Sequence, residues 1–448
     1  MKILITVHQF FPDYTAGTEV LTLSVARELL SRGHNVRIYT GYPTNKRLLD
    51  HERFDEYQFE GIHVYRFHHA YEPMGGQTSL IEVGYDNFVA ANYFERIVND
   101  FKPDVVHFFH LNRLGTRLID KANLLGVPTF MTFTDFWPIC PTGQLLLPSG
   151  KLCIGPNQYA SNCVRHLAQS TQKGVSGKIA GWVPLVFVNM LTKIATLDCC
   201  SESKGLGEIK AISMRLETNL ARLNCLKKII APNKMMRKLL IELGIDAKLI
   251  IESFYGVDIA QSNSTEPVRA QRSPFRIGYI GTLAHHKGCH VLIEAFKALP
   301  YGSAILNIYG KTEEFPDYAA ALNLSAVDSD KIKFCGTFPI SNISQIIADF
   351  DVLVVPSVWH ENTPLVVYSA QMSKCPVVAS NVGGMSEVII DNYNGLLFES
   401  GNAASLTLQL LRLINDSDLL STLSQNAKVP KSTSDYTDEL LSIWQDIE

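Results

Sequence analysis

No stretch of this chain approaches the roughly 20 consecutive apolar residues that cross a bilayer, so a helical membrane span is not expected. The nearest candidate, Ile179 to Leu191, is too short and is interrupted by Pro184. Burial in a core is the expectation for it. The alternative is a peripheral membrane association through residues 173–193, with Trp182, Lys173, Lys178 and Lys193 at the headgroups. Excess positive charge is also missing: 40 Lys and Arg stand against 44 Asp and Glu, a net charge of -4, which argues against a nucleic-acid partner. No G-x-G-x-x-G follows the first strand-like run, so the dinucleotide fingerprint is absent. The nine cysteines are odd in number and scattered, which speaks against a disulfide framework and for a reduced, cytoplasmic setting. The first apolar run, Ile3 to Val7, has the length of a strand and ends at His8-Gln9, so no leader peptide is read there.

What is present is a repeated strand–helix grammar. At 448 residues the chain is too long for one ordinary core, and 46% hydrophobic with 19% charged residues describes a globular protein. Lys2 to Val7 reads as a buried strand and Glu19 to Ser31 as a helix with one apolar face. Gly33 closes that helix, and Asn35 to Thr40 is the next strand. Further strands are expected at Val64–His68, Val105–Phe109, Thr129–Phe133, Lys228–Ala231 and Lys248–Glu252. A polar Ser/Pro-rich break at 259–275 separates a first domain, 1–258, from a second, 276–429. The second domain repeats the pattern with strands at Arg276–Ile280, Ala304–Tyr309, Lys331–Cys335, Val352–Val355 and Pro376–Ala379. Residues 403–424 read as helical, and a final amphipathic helix lies at Tyr436–Asp446.

The richest chemistry lies between Asp351 and Phe398. A strand stops at Pro356-Ser357, a loop carries His360 and Glu361, and a helix opens at Thr363-Pro364. Asn362 or Thr363 suits the N-cap and Pro364 the first helical position. Free amides and the positive helix end make a site for phosphate, and Glu361 can accept bonds from hydroxyls attached to it. The alternative is a capped helix beside a solvated Glu. Lys287, next to Gly288 at another loop-to-helix junction, is placed to neutralise a phosphate as a point charge.

In the first domain His107 and His110 follow one strand, Thr134 and Asp135 another. Asp135 is the best candidate there for acid/base work or hydroxyl binding, with capping of the turn before Pro138 as the alternative. Cys140, Cys153 and Cys163 are unevenly spaced, with His166 as the only candidate for a fourth ligand. That falls short of the usual zinc pattern, and no metal is expected. The triplets Asp328–Asp330 and Asp416–Asp418 read as turns.

Gly17-Thr18-Glu19, Gly281-x5-Lys287-Gly288, Gly310, Gly336, Pro356-Ser357 and the run from Glu361 to Phe398 together resemble the GT-B glycosyltransferases of family 4. The resemblance covers the second domain best and leaves 150–228 largely unmatched. It implies two Rossmann-like, doubly wound parallel-sheet α/β domains facing a central cleft, with a C-terminal helix, 430–448, packing back on the first. It implies a retaining, metal-independent transferase moving a hexose from a UDP- or GDP-sugar to a hydroxyl of a glycan or lipid-linked acceptor, without a cofactor. Glu361, Lys287 and Asp135 would be catalytic. Gly17, Thr282, Gly310, Gly336, Asn362, Thr363, Pro364, Leu365, Val366 and Ser369 would surround the donor, and His107, His110 and Thr134 would lie on the acceptor side. The chain departs from the family where Ser369 replaces a ribose-binding Glu, Thr282 an Arg and Thr134 a His. A binding protein without catalysis and, more remotely, a nucleotide-sugar 2-epimerase are the competing readings.

Overall fold

The computed structural model describes residues 1–171, 181–196, 204–257, 272–362 and 364–446. These residues form two compact units. One comprises Met1–Pro232, Met236–Ser253 and Thr437–Glu448; the other comprises Asn233–Met235 and Phe254–Tyr436. Most of the expected linker, 259–271, lies outside the described residues, and Phe275 already belongs to a strand.

The first unit is built on an eight-stranded sheet of β1 (Lys2–Val7), β2 (Asn35–Pro43), β3 (Phe54–Phe59), β4 (Ile62–His69), β5 (Val105–Phe108), β6 (Thr129–Thr132), β7 (Lys228–Ala231) and β8 (Ile250–Glu252). The strand order is β3-β4-β2-β1-β5-β6-β7-β8. All neighbours run parallel except β3, which pairs antiparallel with β4. The central strands are apolar throughout because helices cover both faces of such a sheet; in β1 only Lys2 is exposed. The helix Gly17–Ser31 buries Leu21, Leu23, Val25, Ala26 and Leu29. It ends where Gly33 takes a φ of 81°. His34 N then bonds Leu29 O and Gly33 N bonds Leu30 O, which satisfies the last carbonyls.

The second unit carries β9 (Phe275–Ile280), β10 (Ala304–Tyr309), β11 (Ile332–Gly336), β12 (Val352–Val355), β13 (Val377–Ser380) and β14 (Leu396–Phe398), ordered β11-β10-β9-β12-β13-β14. Every pair is parallel. The expected single helix at 403–424 is two, Ala403–Asn415 and Ser417–Gln425, because Asp416 caps the second through Leu419 N.

Among the parallel strands of each sheet the order reverses direction once, between β1 and β5 and between β9 and β12. Loops leaving two such strands diverge to opposite sides and open a crevice at their carboxyl ends. His8 and His110 leave β1 and β5; Lys287 and Glu361 leave β9 and β12.

The segment expected to be a buried helix is a correction. Ile179 and Ala180 lie outside the described residues, and the helix Leu185–Ala195 starts at Pro184. Trp182 is 89% exposed and Phe187 64%, with Val186, Met190 and Leu191 also in solvent. Only Val188, Thr192 and Ala195 of this helix are buried.

Candidate functional site

In the second unit the loop after β9 turns through the short 3-10 segment His285–Lys287 into the helix Cys289–Lys297. Gly288, at φ 71°, is the N-cap of that helix. A Cβ there would sit 1.8 Å from Pro356 O, so only glycine lets this loop lie against the end of β12. Val358 N also bonds His286 O at 2.9 Å. These contacts bring Lys287 to Glu361, 74 residues away in sequence, with Nζ 2.7 Å from Oε1.

The same Oε1 accepts from Ser357 Oγ and from Trp359 Nε1, both at 2.7 Å. Glu361 is 5% exposed. Burial alone pushes its pKa up, but the Lys287 charge and the three donors outweigh that and hold the carboxyl below its ordinary value. The ammonium of Lys287 also lies 4.7 Å over the Trp359 ring, which is packed edge-on by His286. Burial, then the Lys287 charge, lower the pKa of His286 to about 4. On the other side Gly384 N bonds Glu361 O at 2.7 Å, and a Cβ on Gly384 would meet Asn362 O at 1.9 Å. The backbone of Glu361 and Asn362 is therefore gripped from both sides.

The helix Leu365–Met372 follows directly. Pro364 occupies the N-cap rather than the first helical turn, and makes no side-chain cap bond; this corrects the expected start by about one residue. Thr363 lies outside the described residues. The amides of Leu365 and Val366 precede the first bond of the helix, from Val367 N to Pro364 O, and an anion is favoured at such a terminus. Ser369 Oγ donates back to Leu365 O at 3.2 Å. Thr282 O accepts from Tyr279 OH and Ala284 N, so this residue shapes the β9 loop through its backbone. Gly310 directly follows β10, Gly336 ends β11, and the two are joined by a bond from Gly310 N to Gly336 O.

The first unit holds a second cluster at its own switch point. His110 Nδ1 accepts from Asn112 N at 3.0 Å, which leaves the ring proton on Nε2, 3.0 Å from Asp135 Oδ2. Asp135 Oδ1 accepts from Trp137 N at 2.7 Å. Asp135 thus caps its turn and orients an imidazole at once. The His8 ring lies 4.1 Å from that of His110, and His8 Nε2 is 3.4 Å from Glu19 Oε1. Glu19 is fully buried, and burial raises its pKa. Arg113 Nη1 donates to His8 O and Gln9 Oε1.

Thr134 Oγ1 bonds Phe109 O at the edge of this cluster, and Gly17 is the exposed first residue of its helix. His107 is a correction, because it does not reach the cluster. It is fully buried within β5, bonds Thr132 Oγ1 through Nε2 and accepts Trp444 Nε1 at Nδ1. Burial drives its pKa down to about 3. His8, Glu19, Ser357 and Trp359 are polar members of the two clusters that were not expected as site residues, although Glu19 and Ser357 lie in stretches that carry the resemblance. A histidine directly after the first strand was the available signal for His8. Nothing local marks Trp359, whose role depends on the loop's fold.

The two Asp-x-Asp triplets lie away from both clusters: Asp330 pairs with Lys331 at the surface and Asp416 caps a helix. Among the described residues no helix is long and apolar enough to cross a membrane.

Residues 261–429 match the family described as glycosyl transferases group 1, and residues 16–171 the glycosyl transferase 4-like domain. The uncharacterized glycosyltransferase MJ1178 of Methanocaldococcus jannaschii is 32% identical over 34% of this chain and 41% of its own length. The capsular polysaccharide biosynthesis glycosyltransferase CapM of Staphylococcus aureus is 27% identical over 39% of this chain and 45% of its own. The matched stretch thus spans less than half the length of either relative. Among solved structures, Anabaena HepE in complex with UDP and glucose superposes with a TM-score of 0.62 and 16% identity, over 100% of both chains. Two doubly wound parallel sheets, each carrying its polar cluster at the switch point, agree with those matches: on a GT-B fold, the first unit carries a glycosyl transferase 4-like domain and the second a group 1 glycosyl transferase domain.

Proposed function

We propose that the chain is a retaining glycosyltransferase that moves a hexose from a UDP- or GDP-sugar to a hydroxyl of a glycan or lipid-linked acceptor. The observation that carries this reading is Glu361. Its Oε1 is fixed by Lys287, Ser357 and Trp359, one turn before a helix start that favours phosphate. A carboxylate held ionised and immobile accepts sugar hydroxyls through Oε2, while Lys287 and the Leu365–Val366 amides stabilise the diphosphate as it leaves. The acceptor oxygen bonds to the anomeric carbon as the carbon–oxygen bond to phosphate breaks. The acceptor's proton passes to the departing phosphate, so no strong protein base is needed. The Asp135–His110 pair then serves to orient the acceptor. HepE, solved with UDP and glucose, and the capsular relative CapM support a nucleotide-sugar donor and a polysaccharide product.

Nucleotide release from a panel of nucleotide sugars, with and without acceptor glycans, tests the proposal. Glu361→Gln keeps the shape of the side chain but removes its charge, and is expected to lower kcat/KM by about 100-fold or more. Full activity of that variant would place the donor elsewhere. One observation favours the binding-protein reading: Ser369 spends its hydroxyl on its own helix. Saturable nucleotide binding without turnover of any donor would select it.

The exposed face of the helix Leu185–Ala195 supports association with an anionic membrane surface. Trp182, Phe187 and Met190 are apolar and in solvent, Lys193 lies in the last turn, and Lys173 and Lys178 precede the helix in sequence. Flotation with vesicles containing anionic lipid should recover the wild-type chain, and recover far less of a Trp182→Ser/Phe187→Ser double variant. Equal recovery of the two proteins would remove the membrane from this account.

A further inference from the structure

The turn that follows Asp135 closes through Cys140 N on Phe136 O at 2.7 Å, Gly143 N on Cys140 O at 2.9 Å and Phe136 N on Gly143 O at 3.3 Å. Trp137 and Pro138 are buried within it, and among the described residues no backbone N–H reaches Trp137 O or Pro138 O. Buried carbonyls need donors. Here they come from the helix Lys204–Leu223, where Arg215 lies 77 residues beyond Pro138. Arg215 and Asn219, four residues apart, share one face of that helix. Arg215 donates to Trp137 O and, at 3.4 Å, to Pro138 O; Asn219 Nδ2 donates to Pro138 O at 2.8 Å. Trp137 is thereby held at three points. Its N–H donates to Asp135 Oδ1, its carbonyl takes Arg215, and its ring lies 5.0 Å from the Arg215 guanidinium and 5.8 Å from the His110 ring.

Arg215 is 4% exposed. Its described partners are the two carbonyls and the faces of Trp137 and Tyr85, with no carboxylate in contact. Burial lowers its pKa to about 10, which leaves it charged at neutral pH, and the nearby Asp135 charge opposes that fall. A guanidinium is costly to bury, and a neutral donor can satisfy such a carbonyl, as Asn219 does. What the cation adds is a flat, two-pronged donor and a positive charge behind Asp135. We propose that Arg215 is a positioning residue for the acceptor: it fixes the Trp137–Pro138 turn, and through it the Asp135 carboxylate that orients His110. This rests on the reading that the Asp135–His110 pair orients the acceptor. Lys287 and Glu361 belong to the other unit, so loss of Arg215 should reach the acceptor step and leave nucleotide binding as it is.

Arg215→Met keeps the bulk of the side chain and removes both the fork and the charge. With UDP- and GDP-sugars as donors and a panel of alkyl glycosides as acceptors, it should lower kcat/KM for the acceptor by about 10-fold or more. Affinity for UDP and GDP should not change. Arg215→Lys, which keeps the charge without the fork, should fall between wild type and Arg215→Met. Glu208→Gln loosens the same helix elsewhere, where Glu208 takes Ser79 Oγ, Leu80 N and Ile81 N. It should cost stability and leave acceptor kinetics alone. In an Asp135→Asn chain, Arg215→Met should add little, because both act through one carboxylate. Full acceptor activity of Arg215→Met, an equal acceptor loss in Glu208→Gln, or additive losses with Asp135→Asn would each overturn the proposal. Unchanged acceptor kinetics in Asp135→Asn itself would instead remove the acceptor reading of the pair, and this proposal with it. Should no glycoside accept the sugar, nitrogen NMR of labelled histidines decides, with the His110 signal assigned by its loss in His110→Gln. Arg215→Met, or Arg215→Lys if the first does not fold, should shift that signal as Asp135→Asn does; an unchanged signal overturns the proposal.

Discussion

Glu361 and His107 are both buried ionisable groups, and their partners decide what burial does to each. Around Glu361 a cation and three donors favour the charged form. Around His107 a hydroxyl and an indole N–H serve only the neutral ring. With a folded pKa of about 3 against about 6.5 unfolded, His107 takes up its proton in the unfolded chain first. Its contribution is intact above pH about 6.5 and is lost as pH falls towards 3, by about 1.4 kcal/mol per pH unit. His107→Gln, which can still accept from Trp444, should therefore flatten the decline of stability between pH 7 and pH 5. Urea titrations at both pH values check this; parallel declines in variant and wild type would remove His107 from the account. The sequence made Glu361 and Lys287 legible as separate candidates, each beside a turn and a helix start. Their pairing was not legible, because it depends on β9 lying next to β12 and on one glycine's backbone. His107 was misread because a histidine inside a strand and one just past its end look alike until burial is known.

At the scale of elements, loop contacts set by special backbone positions govern the site. Gly288 and Gly302 both have positive φ, at 71° and 78°. Only Gly288 has a neighbour, Pro356 O, in the space a Cβ would take. Gly302→Ala should cost about 1 kcal/mol from its conformation alone. Gly288→Ala should cost several times that and separate Lys287 from Glu361, so donor binding falls with stability. Chemical denaturation of both variants and nucleotide titration of the folded fraction measure the difference; similar losses in the two would mean that the approach to Pro356 is unimportant. Helices of 3.6-residue period and strands that are continuous apolar runs were readable before the structure, since both faces of each sheet are covered. The edge strand β3 was not. Its FDEYQF pattern alternates poorly, and the better signal was the tight Glu60-Gly61 hairpin turn, both residues at positive φ. The helix Leu185–Ala195 was misassigned for a related reason: an apolar run signals a buried face without saying what buries it.

For the molecule as a whole, the repetition of the grammar made two parallel-sheet units legible and the family resemblance implied the final crossing of the chain, but the strand order came only from the fold. The helix Thr433–Gln445 starts in the second unit and from Thr437 onward belongs to the first. There Trp444 is fully buried, its ring 5.4 Å from that of His107, with Nε1 donating to His107 Nδ1 at 3.1 Å. The last turns of the chain therefore complete the core of the first unit, whereas the nucleotide site proposed above lies in the second. Trp444→Ala should lower the stability of the first unit by about 3–5 kcal/mol, and Trp444→Phe, which keeps most of the packing and loses the bond, by about 1 kcal/mol. A nucleotide bound to the second unit stabilises that unit by mass action, about 2.7 kcal/mol at 100 times its Kd. Calorimetry of Trp444→Ala with and without UDP or GDP should thus show an early transition that ignores the nucleotide and a later one that the nucleotide raises. A single transition that shifts as one with both the substitution and the nucleotide would show that the units unfold together, and that Trp444 stabilises the donor site as much as its own core.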